Sequence, residues 1–384
     1  MTANEYIKIL RTYTPSAPPN TVPTEQKFQF IGNHFNSKEE FLEEFGHLGD
    51  NIRQVIDNLG HDEIRDYTLQ QSIIRPLLLY LPNDIAKILS EITFCTLTTR
   101  VKETNAYTVK VPNGDIVVIF SAKFMRLFSF FSLSMQLIRL GQETPKQMYD
   151  TIIAYFNDET DSLPSLSQSV EFSPEDKQTA LLACLSMELF IVLHEYAHAY
   201  LGHLDSYSDE CIFDNDEHSV VAFQTTHKKE LDADVQAIKW LYYLIEKCNR
   251  KDDPQFFGTI ISGMIYAGEV LFIIGLAEIV ELSKNKDLMA TSYQTVREYM
   301  NEKEGVSEDN DFFQWLHEMA MTVELVRNSG TTGMTHPSAI SRLMYILNEC
   351  YDILNENQIK QIQSSIRTLA TKINELIEDR LTMD

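Results

Sequence analysis

Paired cysteines are missing from this chain. Its five cysteines, Cys95, Cys184, Cys211, Cys248 and Cys350, are odd in number, and no two are spaced as Cys-x-x-Cys. That argues against a disulfide framework and against a cysteine-based zinc ribbon, and it fits a reducing cytoplasm. Positive charge is scarce as well. Lys and Arg total 32 against 56 Asp and Glu, a formal net charge of -24 at pH 7. Such a surface repels phosphate backbones, so no nucleic-acid partner is expected. Met1 to Arg11 lacks the basic-then-apolar order of a signal peptide. There is no internal repeat, no low-complexity tract and no clear series of membrane spans. One stretch, Phe256 to Ala277, is long and apolar, and it approaches the roughly 20 residues that cross a bilayer. Glu269 interrupts it, and a charge is expensive in lipid. A buried core helix and a membrane helix are both open readings there, since Gly258, Gly263 and Gly268 suit close packing in either setting.

What remains is the composition of an ordinary folded protein. With 384 residues and 44% hydrophobic content, the chain can bury one large core or two medium ones. Residues 1–24 read as an N-terminal arm and linker, because a short helical start gives way to a run of prolines. Residues 25–90 read as a helical N-terminal region, with apolar spacing such as Ile52, Val55, Ile56 and Leu59. Residues 91–284 carry the chemistry, and 285–384 read as a helical C-terminal region that completes the site. Ile92 to Arg100 has the texture of a strand. Tyr107–Val111 and Asp115–Ser121 flank Asn113-Gly114, a strong hairpin signal because both turn residues tolerate positive φ. The free edge of such a strand can pair with an extended peptide. Helices are expected over about 122–141, 145–157, 174–202, 228–248, 256–284, 288–302, 310–328 and 338–381. The fold class is mainly α (α+β), with a small antiparallel sheet ahead of a metal-binding helix and further helices around it.

The metal-binding helix starts well. Ser173 can cap it, Pro174 suits its first position, and Glu175 and Asp176 favour the positive end of the dipole. An apolar run from Leu181 to Leu193 follows, and Gly202 is a natural stop. His194 and His198 are four residues apart and therefore share a face, so both imidazoles can reach one ion. Glu195 is rotated by about 100° from His194. It can stand beside the ion and take a proton from water without ligating. This is the mechanical basis of His-Glu-x-x-His in zinc peptidases. The bland alternative is a pair of satisfied histidines at a helix end, although the edge of an apolar core is a poor place for unpaired imidazoles.

A catalytic zinc takes three protein ligands. The extended three-histidine form requires Gly and His three and six residues after the second ligand. Leu201 and Leu204 stand there, so that form is excluded. Glu230 and Asp234, one helical turn apart in Lys228-Lys229-Glu230-Leu231-Asp232-Ala233-Asp234, are the better candidates. Glu230 would complete the ligand set, and Asp234 would accept the free N–H of a ligating histidine. A solvated acidic face is the alternative reading.

His194-Glu195-x-x-His198 followed by Glu230-x-x-x-Asp234 resembles the gluzincin pattern. Glu230-Leu231-Asp232-Ala233-Asp234, with Thr335-His336-Pro337-Ser338 and Arg342 downstream, is similar to the HtpX and CAAX-prenyl endopeptidase-like family. The likeness covers about 194–234 and 335–342. It implies a zincin-like catalytic core, a Zn2+ cofactor and a protein or peptide substrate. The multiple spans of that family's membrane members are missing here. His336 is read either as a donor to the oxyanion of the tetrahedral intermediate or as a cap for the following helix. Arg342 is read either as a core ion-pair partner or as an anchor for a substrate carboxylate. Tyr196 and Tyr200 read as packing residues, and Leu204–His227 as a solvated loop.

The function expected is cleavage of a specific intracellular protein target, with Glu195 as general base and with a possible regulatory partner. The alternative is a zincin-like scaffold that serves regulation or interaction without catalysis.

Overall fold

The computed structural model describes residues 2–7, 28–30, 33–35, 69–97, 106–143 apart from Pro112, 145–156, 172–204, 216–248, 259–260 and 338–349, with short pieces between 288 and 326. The chain divides into two compact units. The first comprises Met1–Glu143, Ser162–Ser206 and Lys239–Gly263; the second comprises Thr144–Asp161, Tyr207–Ile238 and Met264–Asp384.

The first unit opens with a short helix, α1 (3–7). Thr2 and Glu5 cap it reciprocally: the Thr2 N–H donates to Glu5 Oε2 at 2.7 Å, and the Glu5 N–H donates to Thr2 Oγ1 at 3.3 Å. A two-stranded antiparallel pair follows, β1 (Phe28–Phe30) with β2 (Asn33–Phe35). The sequence pattern does not announce this pair. A π-helical turn, Gln70–Ile74, leads into α2 (Arg75–Tyr80), and α3 is Asn83–Ser90.

The sheet combines β3 (Thr93–Leu97), β4 (Ala106–Lys110) and β5 (Ile116–Ser121) in the order β3-β5-β4. The expected hairpin is present. β4 pairs antiparallel with β5, and Gly114 turns between them at φ +95°. That is a left-handed conformation in which a side chain would be strained. β3 pairs parallel with β5, so the sheet is mixed rather than antiparallel throughout.

Strand alternation gives the sheet two faces. On one face Cys95, Val117 and Ile119 form a core with Val111, Ala3 and Ile7, and Val109 packs against it. The Ala3 N–H donates to Asp115 Oδ2 at 3.0 Å, which ties α1 to the hairpin. On the other face lie Phe94 and Phe120, with ring centroids 6.0 Å apart.

α4 (Ala122–Arg139) leaves β5 directly, and α6 (Pro174–Tyr200) packs against α4, α3, β4 and β5. Ser173 caps α6 by accepting from the Asp176 N–H at 3.1 Å, and Pro174 takes the first position, as the sequence implies. Arg139 pairs with Asp176 across α4 and α6. Ala183 to Ala197 are buried without a break. A helix apolar on all sides must be enclosed or lie in lipid. Among the described residues α6 is the one helix long and apolar enough to cross a membrane, and most of its apolar stretch is buried within the protein.

The second unit holds α5 (Pro145–Phe156) and α8 (Ala339–Glu349). Ser338 caps α8 by accepting from the Ser341 N–H at 3.1 Å. α7 (Asp216–Lys247) is a continuous helix whose residues up to Ile238 belong to the second unit and whose remainder belongs to the first. It begins at Asp216, not near residue 228, so the expected loop is shorter than the sequence suggests. In the first unit Trp240 of α7 meets Tyr200 edge-on at 5.3 Å. The apolar stretch 256–277 lies outside the described residues except for Thr259 and Ile260, which are helical and buried. Among the described residues the chain is mainly helical with a small sheet, as its pattern implies.

Candidate metal centre and active site

His194, Glu195 and His198 stand in the last two turns of α6. His194 and Glu195 are buried, and His198 is half-buried. The two imidazoles converge: His194 Nε2 and His198 Nε2 are 3.0 Å apart, and the rings meet edge-on with centroids 4.7 Å apart. Two nitrogens on a tetrahedral ion at about 2.0–2.1 Å stand roughly 3.3 Å from each other. The pair is therefore spaced almost as a shared ion requires, and both present the same ring nitrogen.

The other nitrogen of His198 is engaged. His203 Nδ1 lies 3.1 Å from His198 Nδ1. Local backbone chemistry produces that contact. Gly202 adopts φ +70°, and the chain turns back on the helix end. The His203 N–H donates to the His198 carbonyl at 3.0 Å, and the Gly202 N–H donates to the Ala199 carbonyl at 3.3 Å. This is the Schellman arrangement, which brings the residue after glycine over the last turn. A partner on the distal nitrogen fixes which tautomer offers Nε2 to a metal. The sequence suggested Gly202 as a stop, but not that the stop would deliver His203.

Glu195 faces the sheet. Thr108 Oγ1 lies 2.7 Å from Glu195 Oε2 and 3.0 Å from the Glu195 backbone carbonyl. Thr108 is on β4, opposite Val118, and therefore on the same face as Phe120. β4 is the outer strand of the described sheet on that side. No local sequence signal links a strand threonine to a helix 87 residues away.

Glu188 is the other charge-bearing residue in the apolar run of α6. It is fully buried, and burial pushes its carboxyl up to about 8, partly offset by the Cys184 thiol. Cys184 Sγ donates to Glu188 Oε1 at 3.7 Å. Burial, and then the neighbouring carboxyl, push the thiol well above its ordinary range. Glu188 Oε2 has no partner among the described residues. Seven residues separate Glu188 from Glu195, so both lie on one face, about 10.5 Å apart along the axis. Tyr196 is buried with its hydroxyl unpartnered among the described residues, and burial raises its pKa.

In the second unit Glu230 and Asp234 are both buried on α7. Arg342 of α8 holds Asp234 with two bonds: Nε donates to Oδ2 at 2.8 Å, and the terminal Nη2 donates to Oδ1 at 2.7 Å. Its other terminal nitrogen is 3.9 Å from Glu230 Oε2. Of the two roles open for Arg342, the structure gives the core ion pair. A bidentate guanidinium satisfies a carboxylate that would otherwise be buried at prohibitive cost. His336 lies outside the described residues. By donor type, His194, His198 and Glu230 could bind a metal ion.

Residues 134–279 match the Peptidase U49 family. This stretch is similar to a peptidase family. It begins late in α4 and takes in α6 and α7, and so includes His194, Glu195, His198, Glu230 and Asp234. No curated protein and no solved structure matches the chain. The match supports a peptidase acting on a protein or peptide substrate.

Proposed function

We propose that this protein is a zinc-dependent endopeptidase of the gluzincin type. In this reading His194, His198 and Glu230 hold one Zn2+, and Glu195 is the general base. The observation that carries it is the convergence of His194 Nε2 and His198 Nε2 to 3.0 Å, beside a buried carboxylate on the intervening residue. The similarity of 134–279 to a peptidase family supports the same conclusion. So does a helix that carries a second buried carboxylate, Glu230, 32 residues beyond His198 in the sequence.

The bound ion would supply Lewis-acid polarisation of the scissile carbonyl and a water acidified toward neutral pH. Glu195 would take a proton from the attacking water on its carboxylate and return it to the leaving amine nitrogen. His203 would hold the His198 ring with Nε2 turned toward His194 Nε2. Arg342 pairs with the Asp234 carboxylate and stands 3.9 Å from Glu230 Oε2. An extended peptide can pair along β4, the outer strand next to Glu195. His336 is assigned the donor to the developing oxyanion. The target is a specific intracellular protein.

Metal analysis tests the ligand set. Purified wild-type protein should retain one zinc per chain. His194→Ala, His198→Ala and Glu230→Ala should each lose it while keeping the helical circular dichroism of the wild type. Equal metal content in all four proteins would refute the assignment.

A further inference from the structure

Glu195 must present one carboxylate oxygen to water and keep the other out of the way. A glutamate has three rotatable side-chain bonds, and nothing in the His-Glu-x-x-His spacing fixes them. The fixing group comes from the sheet. Thr108 Oγ1 sits 2.7 Å from Glu195 Oε2, a charge-assisted distance, and 3.0 Å from the carbonyl of the same residue.

We infer that Thr108 is a positioning residue for the general base. Its hydroxyl donates to Oε2, which pins the carboxylate and leaves Oε1 as the oxygen for proton transfer. The hydroxyl has a second acceptor within reach, the Glu195 carbonyl. One hydroxyl thus ties down both the side chain and the backbone of Glu195. Thr108 suits the task for two reasons. Its branched Cβ restricts χ1, and it stands on a strand paired along its length with β5. Catalytic groups held by rigid elements lose little entropy on reaching the reactive geometry.

The inference rests on the proposed peptidase reading, and the experiment separates the two. Wild type, Thr108→Val, Thr108→Ser and Glu195→Gln are purified with zinc and incubated with a peptide library made from a proteome digest. Cleavage is followed by mass spectrometry, and kcat and KM are measured on the best-cleaved peptide. Val keeps the shape of Thr and removes the hydroxyl. Thr108→Val should lower kcat by about ten- to a hundredfold, with KM and zinc content unchanged. Thr108→Ser should restore most of kcat. Crystal structures should show Glu195 in one conformer in wild type and Thr108→Ser, and in more than one in Thr108→Val. If Glu195→Gln is inactive while Thr108→Val matches wild type in kcat and in Glu195 conformation, the Thr108 inference is overturned and the peptidase reading stands. Equal losses in the Ser and Val variants also overturn it, because the hydroxyl would then not be the cause. If Glu195→Gln cleaves like wild type, or if no peptide is cleaved by any of the proteins, the peptidase reading itself fails.

Discussion

Replacing Glu188 with Gln should make the protein less sensitive to alkaline pH. Glu188 is fully buried in α6 beside the Cys184 thiol, and its carboxyl is raised from the ordinary 4.5 to about 8. The cause is burial, which disfavours the charged form. In the unfolded chain the same group ionises near its ordinary value. Between these two values the folded protein keeps a proton that the unfolded chain has lost, so stability falls as pH rises. The contribution is fully present below about pH 4.5 and is lost as pH rises through about 8. Each pKa unit corresponds to roughly 1.4 kcal/mol. Between pH 5 and 8 the wild type should therefore lose on the order of 3 kcal/mol through this one group. A glutamine of the same shape cannot ionise. The assay is urea unfolding of wild type and Glu188→Gln at closely spaced pH values across this range. The stability difference isolates Glu188, because every other titrating group is common to both proteins. The variant's advantage should grow steadily with pH. Parallel profiles, differing by less than about 1 kcal/mol across the range, would refute burial of an uncharged carboxyl at this position.

Two further outcomes follow from the second unit and from the end of α6. Arg342→Met should destabilise the protein by about 3–5 kcal/mol, because it removes the guanidinium that pairs with the fully buried Asp234 carboxylate. Adding Asp234→Asn should recover a large part of that loss in thermal melts. Gly202→Ala forces a side chain into φ +70°, which should cost about 1 kcal/mol and move His203 off His198. Zinc affinity, read by competition with a chelating dye, should weaken about tenfold; unchanged affinity would show that His203 does not hold His198.

Much of the fold was legible because its signals are local. Ser173 and Pro174 begin α6 and Gly202 ends it, each through backbone groups that a helix terminus leaves unpaired. Asn113-Gly114 announced the β4–β5 hairpin for the same kind of reason. The parallel partner β3 was not legible, since strand order depends on long-range packing and not on any turn. The start of α7 at Asp216 was missed because Asp216 to His227 carries polar residues that read as loop. At the candidate site the helical period groups His194 with His198, and Glu230 with Asp234. Arg342 was suspected, but its partner came only from the structure, 108 residues away in sequence. Thr108 has no signal at all. Glu188 has a signal, as a lone acid inside the run from Leu181 to Leu193. A charge in such a run must be neutral, paired or functional.

The central claim is that Glu195 moves the proton of a metal-activated water. The most direct measurement is the peptide-cleavage rate of Glu195→Gln against wild type, on preparations whose zinc content is measured alongside. Both proteins should carry one zinc per chain, with cleavage lowered by at least about a hundredfold in the variant. Wild-type cleavage by a zinc-loaded Glu195→Gln protein would contradict it.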